Sequence, residues 1–247
     1  MNNGIVYVCF GESFDDTLAH ACSISRKSTD LPMAVLTNVK DRSKKWNDVS
    51  NVEFICFDME DNENREIKTQ LYKYTPFENT LYLDSDTIIQ KVGIEKSFEP
   101  LKEGHDLCVN PEFIILEGHQ TFKIYAKTIK ETNTPLPVIV ASGGYICFKK
   151  CPKVEKFFDV WNENWKKMGS GREMPSLACA LRVSDDLQIT ALPNMYEPNE
   201  ENENVIVQHN WGWGGRSSLY EKFNIPEPFQ DKSFDTNVSD DWRMVNV

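Results

Sequence analysis

The chain is short of positive charge: 27 lysines and arginines stand against 38 aspartates and glutamates, for a formal net charge of −11 over 247 residues. Binding along a nucleic acid draws most of its free energy from basic residues on phosphates, so this balance disfavours an extended nucleic-acid surface. Basic residues do gather at 40–45, 149–156 and 166–172, as solvated faces commonly do, and a locally basic cleft stays open. No apolar run approaches the ~20 residues of a membrane-spanning helix. The opening Met1-Asn-Asn-Gly-Ile-Val-Tyr-Val-Cys-Phe10 has neither the basic n-region nor the small-residue cleavage site of a signal peptide, and reads as a first core strand. Cysteine is too scattered to build a scaffold. Seven occur, at 9, 22, 56, 108, 147, 151 and 179, an odd number without the paired short spacings of a zinc site, and Cys147 and Cys151 have no second pair. Reduced core thiols and a cytoplasmic location are therefore expected. There is no internal repeat.

What remains is an ordinary globular composition, 40% hydrophobic and 26% charged, long enough for a sizeable core. One domain is expected over 1–225, followed by a loosely packed tail over 226–247 rich in Pro, Asp and Asn. A Val/Ile-rich strand over Gly4 to Phe10 leads through Gly11-Glu-Ser-Phe-Asp-Asp16 into a helix on which Leu18, Ala21, Cys22 and Ser25 share a face. Pro32 to Thr37 and Val52 to Phe57 read as strands, Arg65 to Tyr74 as a helix, and Thr80 to Leu83 as a further strand. Strands alternating with helices predict an α/β fold with a mainly parallel sheet, its strand ends at Gly11, Thr37 and Asp58 on one rim. In the second half, Leu107 to Val109, Val138 to Val140 and Gly144 to Phe148 read as separate strands, the last starting at a Ser142-Gly143-Gly144 bend. A helix with Val154, Phe157, Phe158, Trp161 and Trp165 on one side follows, a stripe expected to pack in the core. Met174 to Leu181 is a short helix with Pro175 in its first turn, Gln188 to Leu192 a strand, and Glu197 to Asn204 a surface loop.

The most informative stretch is Asn79-Thr-Leu-Tyr-Leu-Asp-Ser-Asp-Thr-Ile-Ile89, an apolar strand that ends in two carboxylates, Asp84 and Asp86. In open α/β sheets ligands sit beyond the carboxyl ends of the strands, so acids there are well placed to hold a divalent cation against a phosphate. Mg²⁺ and Mn²⁺ prefer oxygen ligands and take one or two carboxylates, leaving positions for substrate and water. The tripeptide by itself fits a solvated capping turn equally well.

Its context is more specific. The order Arg65-x-x-Lys68, Leu71 and Tyr74, Pro76-Phe77, then Thr80 to Thr87 resembles the central block of glycosyltransferases with the GT-A (Rossmann-like) fold. The resemblance implies one domain with a mainly parallel, mixed central sheet flanked by helices. It implies that Asp84 contacts the sugar or ribose of a nucleotide sugar, that Asp86 ligates a metal bridging its diphosphate, and that Lys68 reaches the donor. An exposed helix face is the plainer account of Arg65 and Lys68. Ala141-Ser-Gly-Gly-Tyr-Ile-Cys-Phe148 is similar to the family's Asn-Ser-Gly block, with Ala141 in place of a polar residue. There Ser142, Gly143 and Gly144 would let the chain pass close to the donor sugar; a tight turn into a strand explains them too. Gly171-Arg-Glu-Met-Pro-Ser-Leu-Ala178 resembles the segment beneath the acceptor site, with Glu173 as acceptor contact or general base, although an acid in a first helical turn also suits the helix dipole.

Val205-Ile-Val-Gln-His209-Asn-Trp-Gly-Trp-Gly-Gly-Arg216 places a histidine at a strand end before a glycine-rich aromatic loop, as in glycogenin-like family 8 enzymes, where it is the third metal ligand beside Asp84 and Asp86. The family's Lys-Pro-Trp is missing here, and Arg216 stands in as the diphosphate contact, its fork suiting paired phosphate oxygens. Imidazole favours Mn²⁺ over Mg²⁺. The resemblance thus implies a metal-dependent transfer of a sugar, from a UDP-sugar, to a hydroxyl acceptor with retention. Phe10, Gly11, Thr37 and Ser85 would complete the donor site. The acceptor is left open among a saccharide, a small molecule, a protein side chain and a modified nucleobase. Two other readings are a sugar nucleotidyltransferase, whose Gly-rich basic loop the acidic 11–16 segment lacks, and a non-catalytic nucleotide-sugar binding module.

Overall fold

The computed structural model describes residues 2–191, 196–197, 205–209 and 243–247. In chain order the first half runs β1 (Asn3–Cys9), α1 (Glu12–Ser25), β2 (Met33–Thr37), β3 (Val52–Cys56), α2 (Asn64–Lys68), α3 (Leu71–Tyr74), β4 (Asn79–Asp84) and β5 (Thr87–Ile89). The second half runs α4 (Glu99–Lys102), β6 (Leu107–Ile115), β7 (Gln120–Phe122), α5 (Lys123–Thr132), β8 (Val138–Lys149), α6 (Pro152–Lys167), α7 (Met174–Val183), β9 (Ile189–Ala191), β10 (Tyr196–Glu197), β11 (Val207–His209) and β12 (Met244–Asn246).

Seven strands form one sheet in the order β3-β2-β1-β4-β8-β6-β9. β3, β2, β1 and β4 are mutually parallel, β8 is antiparallel to both β4 and β6, and β9 is parallel to β6. The expected mainly parallel, mixed sheet with flanking helices is what forms. Its central strands β1, β2, β4 and β8 are buried on both faces, as strands covered by helices must be. In β1, Ile5, Tyr7 and Cys9 join the core on one side with Leu18, Ala19 and Cys22 of α1. Val6 and Val8 join the core on the other side with Val154, Phe157 and Trp161 of α6 and Leu177 of α7. The aromatic stripe of α6 is therefore core, as expected. All seven cysteines are free thiols.

Two expected elements differ. Residues 65–74 form two short helices, α2 and α3, because the backbone leaves the helical path at Gln70, with φ −121° and ψ 22°. The two strands expected over 138–140 and 144–148 are one, β8, and it bulges at Ser142-Gly143-Gly144: Val109 pairs with Ile146 and Pro111 with Ala141, so that residues 142–145 face Asn110 alone. A smaller shift of the opposite sense follows on β6, where Pro111 to Phe113 advance two residues against one on β8. Proline cannot donate to a ladder, so the strand bulges at that point. Two small sheets complete the described fold, β10-β11-β5 and β12-β7.

Candidate active site

The strand order reverses between β1 and β4, and the cleft opens at the carboxyl ends of these strands, where open α/β sheets bind ligands. Its volume is about 380 Å³. β4 delivers Asp84, and the next residues turn back at once, the Thr87 hydroxyl donating to the Asp84 carbonyl at 2.7 Å. That turn carries Ser85 and Asp86 into the cleft and starts β5. β5 pairs antiparallel with β11 in a register that sets Thr87 opposite His209. A contact between residues 123 apart in sequence is thereby fixed by a three-residue ladder: His209 Nε2 lies 2.7 Å from Asp86 Oδ1 and 3.9 Å from Asp84 Oδ2.

Lys68, at the end of α2, is 7% exposed and bridges two carboxylates, donating to Asp84 Oδ1 at 3.0 Å and to Glu173 Oε1 at 2.7 Å. Arg65, one turn earlier, meets the other Glu173 oxygen at 3.4 Å. Glu173 itself caps the start of α7, and its carbonyl accepts from the Trp161 indole at 3.1 Å and the Ser176 hydroxyl at 2.8 Å. The α6 stripe thus holds the acid in place from below. Gly143 completes the packing: a Cβ there would come within 3.3 Å of both Lys68 Nζ and Glu173 Oε1. Glycine is required at this bulge, because the ion pair occupies the space a side chain would take.

The charges shift accordingly. Burial alone would lower the Lys68 ammonium, but Asp84 and Glu173 outweigh it and hold Lys68 above the ordinary lysine range. Burial pushes the Glu173 carboxyl up, and Lys68 with Arg65 brings it below the usual value. Asp84 follows the same pattern, burial opposed by Lys68, His209 and a hydrogen bond from Tyr82. Burial disfavours protonated His209, and Asp86 reverses this, so that its pKa rises. Asp84 and Glu173 are therefore ionised at neutral pH.

One ligand atom each from Asp84, Asp86 and His209 lie within 4.8 Å of one another. Two carboxylates and an imidazole at the mouth of a polar cleft are a donor set that fits a divalent cation of the Mg²⁺ or Mn²⁺ type. Ser142 and Gly144 also border the cleft, the Gly144 amide donating to the Ser142 hydroxyl at 3.2 Å. Phe10, Gly11 and Thr37 sit on the same rim but do not line it among the described residues. The Phe10 ring packs 6.3 Å from that of Phe57, the Gly11 amide donates to Asn38 Oδ1 at 2.9 Å, and the buried Thr37 hydroxyl accepts from the Val39 amide at 3.0 Å. Arg216, Trp211 and Trp213 lie outside the described residues.

Sequence reasoning missed the far wall. Glu112 and Phe113 of β6, Phe122, Tyr125 and Met174 also line the cleft. The Phe113, Phe122 and Tyr125 rings lie 5.7–6.4 Å apart. Reading β6 only to Val109 hid them. The signal was the apolar run Phe113-Ile-Ile-Leu116, set off from Val109 by Pro111. It also missed Tyr82, whose hydroxyl donates to Asp84 Oδ1 at 2.5 Å.

No protein-family model matches the chain, and no curated protein matches it in sequence. Solved structures do match in shape. The galactosyltransferase LgtC, in complex with donor and acceptor sugar analogues, is 12% identical with a TM-score of 0.57, over 93% of this chain and 99% of that one. Mouse xyloside xylosyltransferase 1 in its apo form is 11% identical with a TM-score of 0.54, over 92% and 100%. The glycosyltransferase GlyE of Streptococcus pneumoniae is 12% identical with a TM-score of 0.56, over 92% of this chain and 61% of that one. The chain has the GT-A fold of these structures. No helix among the described residues is long and apolar enough to cross a membrane.

Proposed function

We propose that the chain is a metal-dependent glycosyltransferase that moves a sugar from a nucleotide-diphosphate sugar, a UDP-sugar by the family likeness, to a hydroxyl acceptor with retention of configuration. The observation that carries this reading is the convergence of Asp84, Asp86 and His209 at the mouth of the switch-point cleft of a GT-A sheet. The neighbour solved with donor and acceptor sugar analogues supports a cleft that takes two sugar-bearing partners. Mn²⁺ suits the imidazole best, with Mg²⁺ the other choice. Such a cation, when bound, supplies Lewis-acid neutralisation of the charge that gathers on the departing diphosphate.

The chain's own residues bind and orient. Asp84 and Lys68 face the donor, with Arg65 and Arg216 as phosphate contacts, and the base lies towards Phe10, Gly11 and Thr37. The backbone from Ser142 to Gly144 passes against the donor sugar. Glu173 has both oxygens engaged by cations and a lowered pKa, which makes it a weak base. It serves instead as a fixed negative charge against the positive character that develops at the donor C1 as its bond to the diphosphate lengthens. The acceptor hydroxyl enters from the wall of Phe113, Phe122 and Tyr125, whose rings suit the apolar face of a saccharide as well as an apolar small molecule.

Calorimetric titration of UDP in Mn²⁺, in EDTA and with Asp86→Ala tests the site. Binding that needs both the cation and Asp86 is expected, followed by slow hydrolysis of a UDP-sugar. UDP binding indifferent to Mn²⁺ would overturn the reading, and metal-dependent UDP binding with no turnover of any UDP-sugar and acceptor would leave a binding module.

A further inference from the structure

The Tyr82 side chain is 2% exposed, and strand alternation puts it on the same face of β4 as Asp84, two residues on. Its ring belongs to the core beside Ile146 and Val8, and Lys68 Nζ rides 5.3 Å above the ring centroid. A phenylalanine would fill that core space equally well, so packing accounts for the ring and not for the hydroxyl. The hydroxyl is aimed at Asp84 Oδ1, 2.5 Å away, and Lys68 reaches the same oxygen at 3.0 Å. A carboxylate oxygen has two lone-pair sites, so two donors fill Oδ1. The other oxygen, Oδ2, is the one that faces His209.

We propose that Tyr82 is a positioning residue: together with Lys68 it reserves one oxygen of Asp84, so that this acid offers a cation a single oxygen, and it thereby sets which cation the site accepts. The proposal rests on the metal-site reading above. Ca²⁺ takes six to eight oxygen ligands in a flexible shell and often uses both oxygens of a carboxylate, whereas Mg²⁺ demands a compact octahedron. A carboxylate clamped to one usable oxygen fits the smaller ions and works against Ca²⁺. Without the hydroxyl, Lys68 alone holds Oδ1, and the carboxylate is free to turn both oxygens towards a larger ion. Partners that orient a metal ligand are typically worth ten- to hundredfold in affinity.

Electron paramagnetic resonance of free Mn²⁺ in the presence of the full chain, with Ca²⁺ as competitor, reads both affinities without any substrate. Wild type is expected to prefer Mn²⁺ over Ca²⁺ by more than about tenfold. In Tyr82→Phe, Mn²⁺ is expected to bind about tenfold more weakly with Ca²⁺ little changed, so that the preference falls by about tenfold. A purely structural hydroxyl would lower the thermal midpoint and leave the ratio alone. A ratio within twofold of wild type in the folded variant overturns the proposal, as does a wild type that binds Ca²⁺ as well as Mn²⁺, a result that does not depend on the variant folding. Asp86→Ala separates the two readings: if it abolishes Mn²⁺ binding while Tyr82→Phe leaves the ratio unchanged, the metal site stands and the role of Tyr82 falls. If wild type binds no Mn²⁺, both fall.

Discussion

The sheet carries a buried carboxylate and lysine cluster at each end, and the two are built to different rules. At the start of β6, one acid, Asp106, meets Lys149 at 2.8 Å, the Gln188 amide at 3.0 Å and Lys153 at 4.0 Å. At the end of β4, three acids, Asp84, Asp86 and Glu173, share one buried lysine, the half-exposed Arg65 and His209. The chain closes the first cluster with its own cations. The second carries more acid than base where the strands open to a cleft. Charge balance, more than burial, separates a closed brace from a cluster with room for a cation.

The sharpest way to break that contrast is to strip one lysine from each. Lys68→Met leaves Asp84 and Glu173 facing each other without their shared cation, and is expected to cost about 3–5 kcal/mol of unfolding free energy at pH 7. Lys149→Met is expected to cost about 1 kcal/mol, because Lys149 is 29% exposed and Asp106 keeps the Gln188 amide and Lys153. Urea unfolding of both variants decides; equal losses would erase the distinction.

The two clusters should also respond oppositely to pH. Burial raises the Asp106 carboxyl, but the Gln188 amide and the two lysines outweigh it and hold it below the ordinary value. A depressed acid contributes stability that is present above its unfolded pKa of about 3.9 and lost as pH falls through the folded value. Asp106→Asn is therefore expected to cost about 2 kcal/mol at pH 7 and progressively less below pH 4, read from urea curves across that range. His209 has the opposite sign. Its pKa is raised, so its pairing with Asp86 contributes fully below about pH 6.5 and fades as pH rises through the folded value. A cation must displace that proton, so Mn²⁺ is expected to bind about tenfold more tightly at pH 8 than at pH 6. A pH-independent affinity by calorimetry would remove His209 from the ligand set.

The difference between the clusters was only partly legible in sequence. Asp84 and His209 announce themselves because each ends an apolar strand, with Asp86 in the turn just after Asp84, and strand ends are where an α/β sheet binds ligands. The brace at Asp106 has no such signal: its partners come from β8, α6 and the residue before β9, and only the folded sheet brings them together. Glycine was legible only in part, for a related reason. Gly143-Gly144 reads as a bend, and the strand does bulge there, but what Gly143 makes room for is the Lys68 and Glu173 pair of two distant helices. The far wall of Phe113 and Tyr125 was hidden by Pro111, which sequence rules treat as a strand breaker and which the fold absorbs as a register shift.

The smallest effect separates the outer cations. Arg65 lies 3.4 Å from Glu173 with its side chain 46% exposed, and Lys153 lies 4.0 Å from Asp106 with its side chain 48% exposed. Pairs this accessible are worth little, so Arg65→Ala and Lys153→Ala are each expected to change the unfolding free energy by less than about 1 kcal/mol. Their other surroundings differ. Lys153 Nζ also donates to the Asp186 carbonyl at 2.8 Å, tying it to the chain, whereas Arg65 lines the cleft. Arg65→Ala is therefore expected to weaken UDP binding in Mn²⁺ about tenfold, the scale of one lost charge-assisted contact, with the Lys153 variant indistinguishable from wild type. Equal UDP affinity in the two variants would place Arg65 with the brace, a cation that answers only to its own carboxylate.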